Sequence, residues 1–427
     1  MAKKVVIITY YWIPAGGPGV QRWLKFVKYL RNFDIEPILF VPKNPSYPMI
    51  DETFSADIPE DVTIIKQPIF EPYKFAEIFS KKKSKTISKG IIANEKQSFV
   101  EKLLLYIRGN FFIPDARKYW VKPSVKFLKK YLKDNNIDAV VTTGPPHSLH
   151  LIGLQLRREL NIKWLADFRD PWTSIGYHEK LRLTKKSHQK HLQFESEVLQ
   201  TADQVVTTSF TTKEEFSALT NQPIEVITNG YDVEKYTPTP MDEKFTISHI
   251  GSLLSERNPL ILWEVVEELV QEDQDFAKDV QLQFAGVVSE DIQSVIRETG
   301  LEKYTTYFGY VSHQRALQLQ RASQLLLVIE IDAEKTKGII AGKLFECMAA
   351  ERPIIGLGPK DADIAKIIQE TNTGTYFLYT EKEKLKTQIA AYYEAYKQQK
   401  LNVSAIGLQQ YSRKALTQKL AEVLHSL

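Results

Sequence analysis

The sequence predicts an α/β protein of two doubly wound domains, each a parallel sheet covered by helices. Three observations lead to this fold class. Short apolar runs alternate with segments of helical period along most of the 427 residues, which is the pattern of repeated βαβ units. Motifs rich in glycine, acids or arginine follow several apolar runs, where loops at strand ends bind ligands. The alternation also restarts after residue 235, and this length predicts two or three domains.

Composition excludes several other classes of protein. The chain is 43% hydrophobic and 25% charged, which is ordinary for a soluble globular protein, and no apolar run approaches the length of a transmembrane helix. The apolar run at residues 5–10 is too short for a signal peptide, so we interpret it as a buried first strand. The use of a single cysteine fits a cytoplasmic protein. A net charge of +4 does not indicate nucleic acid.

The single cysteine, Cys347, excludes an internal disulfide and a metal cluster built from cysteines. We expect it to be a small buried hydrophobe rather than a reactive thiol.

The first domain is predicted to span residues 1–235. Strands are expected at 5–9, 37–40, 62–65, 139–142, 163–166, 204–207 and 224–227, and helices at 20–31, 123–134, 148–160, 185–201 and 212–219. The region 68–122 breaks this rhythm, and we interpret it as an insertion with some helix and a long loop.

The second domain is predicted to span residues 236–410. Strands are expected at 245–250, 280–284, 305–308, 324–328, 353–356 and 375–378, and helices at 259–270, 291–299, 312–321, 343–350 and 363–370. The tail from 381 to 427 is predicted to be helical throughout. With two such domains, ligands are expected at the carboxyl ends of the strands, where the domains face each other.

The first βα turn is rich in glycine. Gly16, Gly17 and Gly19 stand between the first strand and the first helix, in a pattern that matches neither the dinucleotide-binding nor the Walker motif. Glycines let backbone N–H groups approach an anion at a helix start. We therefore expect this loop to bind an anion, or a substrate that acts as the acceptor of a transferred group. The alternative is a tight turn that binds no ligand.

Two more motifs follow strands of the first domain. His147 and the pair Arg169 and Asp170 stand at strand ends, so their side chains are expected to face the cleft. The alternatives are a structural histidine, and an ion network of Asp167, Arg169 and Asp170 that only shapes the loop. The spacing Asp167-x-x-Asp170 is not the Asp-x-Asp of a metal-bound nucleotide site, so no metal is predicted.

The segment from Gly338 to Pro353 is the most informative part of the chain. Its glycines lead into a predicted helix that begins at Lys343 and carries Glu346 one turn later. Helix N-termini attract anions, and positions i and i+3 share one face. Lys343 can therefore meet a phosphate while Glu346 accepts from sugar hydroxyls, which suits a nucleotide diphosphate sugar.

Arg257 and Tyr310 follow two other strands of the second domain. Asn258 is the expected N-cap and Pro259 the first residue of the next helix. The Arg257 guanidinium suits bidentate contact with a diphosphate, although it could also be a surface group. The backbone around Tyr310 could bond a nucleobase edge, while the ring itself could equally pack in the core.

Together these motifs resemble those of the glycosyltransferase family 4 enzymes, which have the GT-B fold. The resemblance covers nearly the whole chain and depends on the order and spacing of the motifs. These are the N-terminal glycine loop, the segment 167–172, Asn229 to Asp232, Gly251 with Arg257, Phe284 to Gly286, Phe308 to Val311, and Lys343 to Glu346.

The resemblance implies two Rossmann-like domains that face each other across a cleft, with the last helix, 411–427, packing back on the first domain. It also implies a retaining glycosyltransferase of the hexosyltransferase type, which takes its sugar from a nucleotide diphosphate sugar and needs neither a metal nor a further cofactor. The implied catalytic residues are Arg257, Lys343, Asp170, Arg169 and His147, and the implied donor-binding residues are Gly16, Gly17, Gly251, Tyr310, Ile340, Ala341, Gly342 and Glu346.

In this scheme Arg257 and Lys343 would neutralise the diphosphate, and Glu346 would bind the ribose hydroxyls. The loop of Arg169 and Asp170, with His147, would line the acceptor and donor-sugar side. The leaving diphosphate itself would deprotonate the acceptor hydroxyl, so no protein nucleophile is expected.

One position departs from the family pattern. The family often has a second glutamate eight positions before the ribose-binding one, where this chain has Gly338. Glu334 lies nearby but out of register, and Glu330 ends the preceding strand. Contacts to the sugar ring are therefore expected from the backbone between Ile339 and Gly342, or from another side chain.

The expected partners are a nucleotide-sugar donor and a glycan or lipid-linked acceptor of cell-surface polysaccharide biosynthesis. Three alternatives stay open: a nucleotide-sugar epimerase or a phosphorylase of the same fold, and an inactive sugar-nucleotide-binding protein. The basic cluster at residues 81–89, near an apolar and aromatic stretch at 103–113, suggests peripheral contact of the insertion 70–120 with the inner, anionic face of the cell membrane. A solvated loop that packs on the first domain is the alternative there.

Overall fold

The computed structural model describes residues 2–72, 99–232 and 239–427. Internal contacts divide the chain into two units: unit 1 is Met1–Thr228 with Arg413–Leu427, and unit 2 is Asn229–Ser412. The basic cluster predicted at 81–89 lies outside the described residues.

Unit 1 contains a seven-stranded sheet in the order β3-β2-β1-β4-β5-β6-β7. Its strands are β1 (Lys3–Ile8), β2 (Ile35–Pro42), β3 (Thr63–Gln67), β4 (Ala139–Gly144), β5 (Lys163–Phe168), β6 (Gln204–Thr207) and β7 (Ile224–Val226). Each paired strand runs parallel to its neighbour.

Helices of unit 1 join these strands and cover the sheet. They are α1 (Pro18–Leu30), α2 (Phe99–Phe111), α3 (Lys118–Asp134), α4 (Ser148–Leu160), α5 (Gly176–Glu179), α6 (Lys185–Thr201), α7 (Phe210–Ser217) and, from the end of the chain, α15 (Arg413–Ser426).

The unit 1 sheet is buried on both faces. Val6 and Ile8 of β1 belong to one core cluster, and Val5 and Ile7 belong to another, because successive side chains of a strand point to opposite faces. Strands covered on both faces read as continuous apolar runs rather than alternating ones, which explains the first strand. The second cluster also contains Leu416, Leu420 and Leu424, so α15 packs its i, i+4, i+8 stripe on the same face as α1.

Unit 2 contains a six-stranded sheet in the order β10-β9-β8-β11-β12-β13, also with parallel pairs. The strands are β8 (Phe245–Ile250), β9 (Val280–Ala285), β10 (Thr305–Gly309), β11 (Leu325–Ile329), β12 (Ile354–Gly358) and β13 (Gly374–Leu378). The helices are α8 (Leu260–Glu272), α9 (Gln274–Asp279), α10 (Glu290–Glu298), α11 (His313–Ala322), α12 (Lys343–Ala349), α13 (Asp363–Thr371) and α14 (Lys382–Lys397).

The predicted α/β fold class is confirmed, and each of the 13 predicted strands lies within two residues of its observed bounds. One helix boundary is wrong. The sequence predicts a start at Pro123, since proline favours the first turn, but α3 begins at Lys118 and contains Pro123 inside. The earlier turn is fixed by Trp120, which is fully buried and stacks on Phe40 with ring centroids 5.2 Å apart.

The prediction of a continuously helical tail is also wrong. Gln399 adopts a left-handed φ of 55° just after α14, and the chain then follows a loop to the short 3-10 turn Leu408–Tyr411. This loop is held by α13 instead, because the backbone N–H of Ile406 donates to the Thr371 carbonyl at 2.9 Å. The sequence also missed α9, whose six residues are too few to show a helical period.

The sequence predicts some helix in the insertion 68–122 without giving its range. In the part of the insertion that the structure describes, α2 is such a helix. Among the described helices, none is both long enough and apolar enough to cross a membrane.

Candidate functional site

The candidate donor site of unit 2 lies at the carboxyl edge of its sheet. β8 is followed by Gly251, β9 by Gly286, and β11 by Glu330, while Gly309 ends β10. The two turns after β8 and β9 approach each other closely. A side chain on Gly286 would place its Cβ 2.6 Å from the backbone of Gly251, so glycine is required there.

Lys343 brings a cation to this edge. A Cβ on Gly251 would lie 3.7 Å from Cδ and 4.0 Å from Nζ of Lys343, so the lysine runs directly over the glycine turn. Its Nζ lies 2.6 Å from Nε2 of His249, near the end of β8. Burial lowers the pKa of Lys343 to about 8, Glu330 and Cys347 oppose this shift, and the charge of Arg257 adds to it.

Arg257 supplies a second cation. It lies in the 3-10 turn Ser255–Arg257, and one of its terminal nitrogens lies 3.3 Å from Oε2 of Glu330. Glu330 is 1% exposed. Burial raises the pKa of its carboxyl group, while Arg257 and Lys343 lower it. Arg257 and Lys343 therefore both interact with the buried Glu330, which keeps the two cations close to each other at the carboxyl edge of the sheet.

The predicted cap of the next helix is wrong. α8 begins at Leu260 with Pro259 as its N-cap and without a capping side chain. The Asn258 side chain instead accepts a hydrogen bond from Nε1 of Trp263 at 2.8 Å. Asn258 therefore anchors the turn that carries Arg257 to the helix core.

Glu346 and Cys347 lie in α12, on different sides. The Glu346 carboxylate is partly exposed and lies 3.9 Å from Nε2 of His313, so an oxygen can face a ligand. Cys347 is 2% exposed, and burial raises the pKa of its thiol to about 12. The prediction of a small buried cysteine is confirmed.

The loops around this edge carry the remaining predicted donor contacts. Tyr310 is 85% exposed, so the alternative that it packs in the core is wrong. Ile340, Ala341 and Gly342 form the half-buried approach to α12. Glu334 pairs with Lys337 at 2.6 Å and is 79% exposed. The acid that interacts with Lys343 and Arg257 is therefore Glu330.

In unit 1 the glycine loop is shaped by local contacts. The N–H of Gly16 donates to the Met49 carbonyl at 3.1 Å, and Gly17 has a φ of 107° before α1 begins. A Cβ on Gly19 would lie only 1.5 Å from a terminal nitrogen of Arg169. Part of the glycine content thus makes room for that guanidinium, and an anion or acceptor at Gly16 and Gly17 stays a prediction.

Asp167 forms a structural hub in unit 1. Its carboxylate accepts from Arg22 at 3.0 Å, from Nε1 of Trp23 at 2.8 Å and from Thr143 at 2.8 Å. Asp167 and Arg22 are each 1% exposed. The ion pair of Asp167 is thus with Arg22 on α1. In the alternative of an ion network of Asp167, Arg169 and Asp170, the two acids act on Arg169 through their charges.

Arg169 and Asp170 follow β5, where the sequence placed them. Arg169 donates to the carbonyls of Gly144 and Pro145, and its guanidinium lies 5.9 Å from the ring centroid of Tyr11. Burial raises the pKa of Asp170, while Arg169 lowers it and Asp167 raises it further. A partly buried acid beside a fixed guanidinium can accept from a hydroxyl group.

His147 is 5% exposed and stacks on Trp172, with ring centroids 5.0 Å apart and planes 6° apart. Burial lowers its pKa well below the ordinary value, and His150 and Arg169 lower it further. Neither ring nitrogen has a hydrogen-bond partner among the described residues. The imidazole is therefore neutral, and its contact with a substrate stays a prediction.

Sequence reasoning missed two residues of the unit 2 edge. The sequence pattern places His249 inside a strand and Glu330 at the end of another, and it predicts no role in the site for either. The available signal is polarity: Glu330 follows the apolar run of β11, and His249 is the one ionisable residue of β8. Neither has a recognisable motif, and their partners lie 94 and 73 residues away along the chain.

The comparisons with known proteins agree with this geometry. Residues 91–235 match the model of Glycosyltransferase Family 4. The resemblance predicted from the sequence is confirmed by this segment, and so is the prediction that the protein is a transferase. No curated protein matches the chain.

Solved structures confirm the GT-B type of fold. The chain is similar to sucrose-phosphate synthase from Thermosynechococcus elongatus, with a TM-score of 0.64, 14% identity, and coverage of 99% of this chain and 98% of that one. It is similar to HepE of Anabaena in complex with UDP, with a TM-score of 0.62, 16% identity, and full coverage of 100% of both chains. A putative UDP-N-acetylglucosamine 2-epimerase from Listeria monocytogenes is also similar, with a TM-score of 0.56, 13% identity, and coverage of 100% and 96%. At these identities the likeness shows the fold alone.

Proposed function

We propose that this protein is a retaining, metal-independent glycosyltransferase that moves a hexose from a nucleotide diphosphate sugar to a glycan or lipid-linked acceptor in cell-surface polysaccharide biosynthesis. One observation carries the proposal. Arg257 and Lys343 come together around buried Glu330 at the carboxyl edge of the unit 2 sheet, where doubly wound folds bind ligands.

The chemistry follows from charge. When the bond between sugar and diphosphate breaks, negative charge grows on the leaving phosphate oxygens. Fixed cations in a partly buried site stabilise that charge, and a guanidinium does so with two donors. Arg257 and Lys343 would thus supply the stabilisation that a divalent cation supplies elsewhere. Glu346 would accept from the ribose hydroxyls.

In unit 1, Arg169 and Asp170 would orient the acceptor, together with His147 and the backbone at Gly16 and Gly17. The leaving diphosphate would take the proton of the acceptor hydroxyl. The acceptor oxygen then attacks the anomeric carbon from the same face that the diphosphate leaves. The anomeric configuration is retained in this scheme, without a nucleophile from the protein.

UDP is the first donor nucleotide to test. HepE was solved with UDP and with UDP-glucose, and it supports the choice through its fold. The experiment offers the protein a panel of UDP- and GDP-hexoses with EDTA present and water as the acceptor. It follows nucleotide release, and NMR records the anomeric proton of the first sugar formed, before mutarotation. We expect release and a retained configuration; strict dependence on magnesium, or an inverted product, would contradict the proposal.

An epimerase is the second candidate, favoured by the similarity to the Listeria protein. The two functions differ in their products. An epimerase changes the UDP-sugar when no acceptor is present, whereas a transferase leaves the configuration at C2 unchanged. Chromatography of UDP-N-acetylglucosamine after incubation with the protein alone separates these outcomes.

A lipid-linked acceptor has support in unit 1. α2 exposes an apolar stripe in which Leu103 is 47%, Tyr106 40% and Phe111 63% exposed. α3 exposes a row of lysines, which are Lys122, Lys126, Lys130 and Lys133. Exposed apolar groups and a row of lysines in the same unit are the two features by which a peripheral protein binds an anionic membrane surface. We therefore propose peripheral binding at the inner face of the cell membrane by a cytoplasmic protein.

Co-sedimentation with anionic vesicles tests this surface. Changing the four α3 lysines to glutamine should weaken binding, at about 1 kcal/mol per lysine. The matched control changes four exposed lysines of unit 2, which are Lys278, Lys303, Lys360 and Lys384. Equal loss in both variants would show only a net-charge effect and would contradict a defined surface on α3.

A further inference from the structure

The contact between Lys343 and His249 joins two parts of unit 2 that the proposed function uses in different ways. Lys343 begins α12, and His249 lies in β8 with 0% exposure. An ammonium group has only donors. At 2.6 Å, Nε2 of His249 accepts from Lys343 while that group is protonated, and the imidazole proton then lies on Nδ1.

The surroundings keep this histidine neutral. Burial lowers the pKa of His249 well below its ordinary value, and the charges of Lys343 and Arg257 lower it further. The acid that faces the pair is Glu330 at the end of β11, and the thiol of Cys347 faces it from α12. His249 is thus a permanent acceptor at neutral pH, whereas Lys343 changes its charge near pH 8.

We propose that His249 is a positioning residue, which holds the Lys343 ammonium over Gly251 so that the cation is in place before the nucleotide diphosphate binds. The inference deepens the proposed function and rests on it. A lysine side chain has four rotatable bonds, so it loses rotamer entropy when it is held in one position. Fixing it in advance removes part of that cost from binding.

Lys343 needs such a positioning residue because its ammonium group could also move toward Glu330. Without His249, the attraction that remains comes chiefly from Glu330, and a lysine drawn to that buried acid would neutralise it instead of meeting the phosphate. His249 therefore keeps Lys343 available, while Arg257 remains the counter-ion of Glu330 at 3.3 Å.

Three variants test the proposal by titration calorimetry with UDP. His249→Leu removes the acceptor and should weaken UDP binding about tenfold. His249→Gln offers an amide oxygen to the ammonium and should stay within about threefold of wild type. The double-mutant cycle is decisive: in a Lys343→Met background, His249→Leu should cause no further loss. An equal loss in both backgrounds would show a merely structural role and overturn the proposal.

The pH dependence gives a second readout. UDP must bind the protonated lysine, so affinity should fall as the pH rises through about 8. Because a hydrogen bond to the charged form favours it, the midpoint should move to lower pH in His249→Leu and return in His249→Gln. Dependence that persists in Lys343→Met belongs to other groups, such as Glu330. An unmoved midpoint in His249→Leu would count against the proposal.

A third readout needs no nucleotide. Dimethylation of lysines with a ¹³C label keeps their charge, and NMR then titrates Lys343 directly, with Lys343→Met to assign the signal. We expect a lower pKa of Lys343 in His249→Leu than in wild type; an equal pKa in both proteins would overturn the positioning role of His249. If wild type binds no nucleotide at all, the proposed function fails, while this titration still decides whether His249 holds Lys343.

Discussion

Replacing Lys343 with methionine tests the donor site most directly. Methionine keeps an unbranched chain of similar length, so it removes the charge and little else. At pH 7 a lysine with a pKa of about 8 is roughly nine-tenths protonated. The variant therefore loses a cation that the wild-type protein presents to the nucleotide.

The size of the effect follows from the geometry. A hydrogen bond to a charged group contributes about 1.5–3 kcal/mol, and Lys343 is half-buried, which limits screening by water. With about 1.4 kcal/mol per factor of ten, Lys343→Met should weaken UDP binding roughly 10- to 100-fold.

Folding stability should change in the opposite sense. The pKa of Lys343 is lower in the folded chain than its ordinary value of 10.5, so the unfolded chain binds the proton more tightly. The folded state is thus penalised below pH 8, and the penalty fades as the pH rises from about 8 toward 10.5. Lys343→Met should therefore melt no lower than wild type at pH 7.

Titration calorimetry with UDP and thermal unfolding measure the two effects. Lys303→Met is the matched control, because it removes the same charge from the turn before β10, at the opposite end of the strands. If Lys343→Met bound UDP within twofold of wild type while Lys303→Met did the same, the assignment of the diphosphate to this edge would be refuted.

Three other changes test separate parts of the structure. Asp167→Asn should destabilise unit 1 by about 3–5 kcal/mol, because Arg22 is left buried without a counter-ion. The control Lys129→Met breaks an exposed ion pair and should cost at most about 1 kcal/mol. Equal melting temperatures of the two variants would contradict the role of Asp167 as a structural hub. Tyr310→Ala should leave the melting temperature unchanged, since the ring is 85% exposed, and should leave UDP affinity within about twofold of wild type, since the expected contact with the nucleobase comes from the backbone. A loss of tenfold or more would show that the ring itself binds the nucleotide. Gly286→Ala should abolish UDP binding or folding, because its Cβ would meet the Gly251 backbone at 2.6 Å; a fully active variant would show that the two turns can separate.

Much of the fold could be predicted from the sequence because its signal is local. A strand buried on both faces is often an apolar run, and Leu325–Ile329 is one that the sequence predicts within one residue at each end. The wrong helix boundary has its cause in a contact between residues that are far apart along the chain. Pro123 looks like a helix start, and only the packing of Trp120 on Phe40 shows that the helix begins one turn earlier.

The candidate site was only partly predictable. The sequence predicts that Lys343 and Arg257 follow strands, and parallel strands bring such residues to one sheet edge; their role in binding a donor stays a prediction. Their partners, His249 and Glu330, follow from no local pattern. In unit 1, likewise, Asp167 pairs with Arg22 on α1, because β5 and α1 meet only in the folded unit.

The sequence by itself determined the periodicity of the strands and helices, the positions of the glycine turns and the residues that carry charge. Tertiary structure alone decided which charges are neighbours, which are buried and how their pKa values shift. Burial and Coulomb interactions depend on distance through space. His249 and Lys343 are 94 residues apart along the chain and 2.6 Å apart in the folded protein, and no local pattern encodes that proximity.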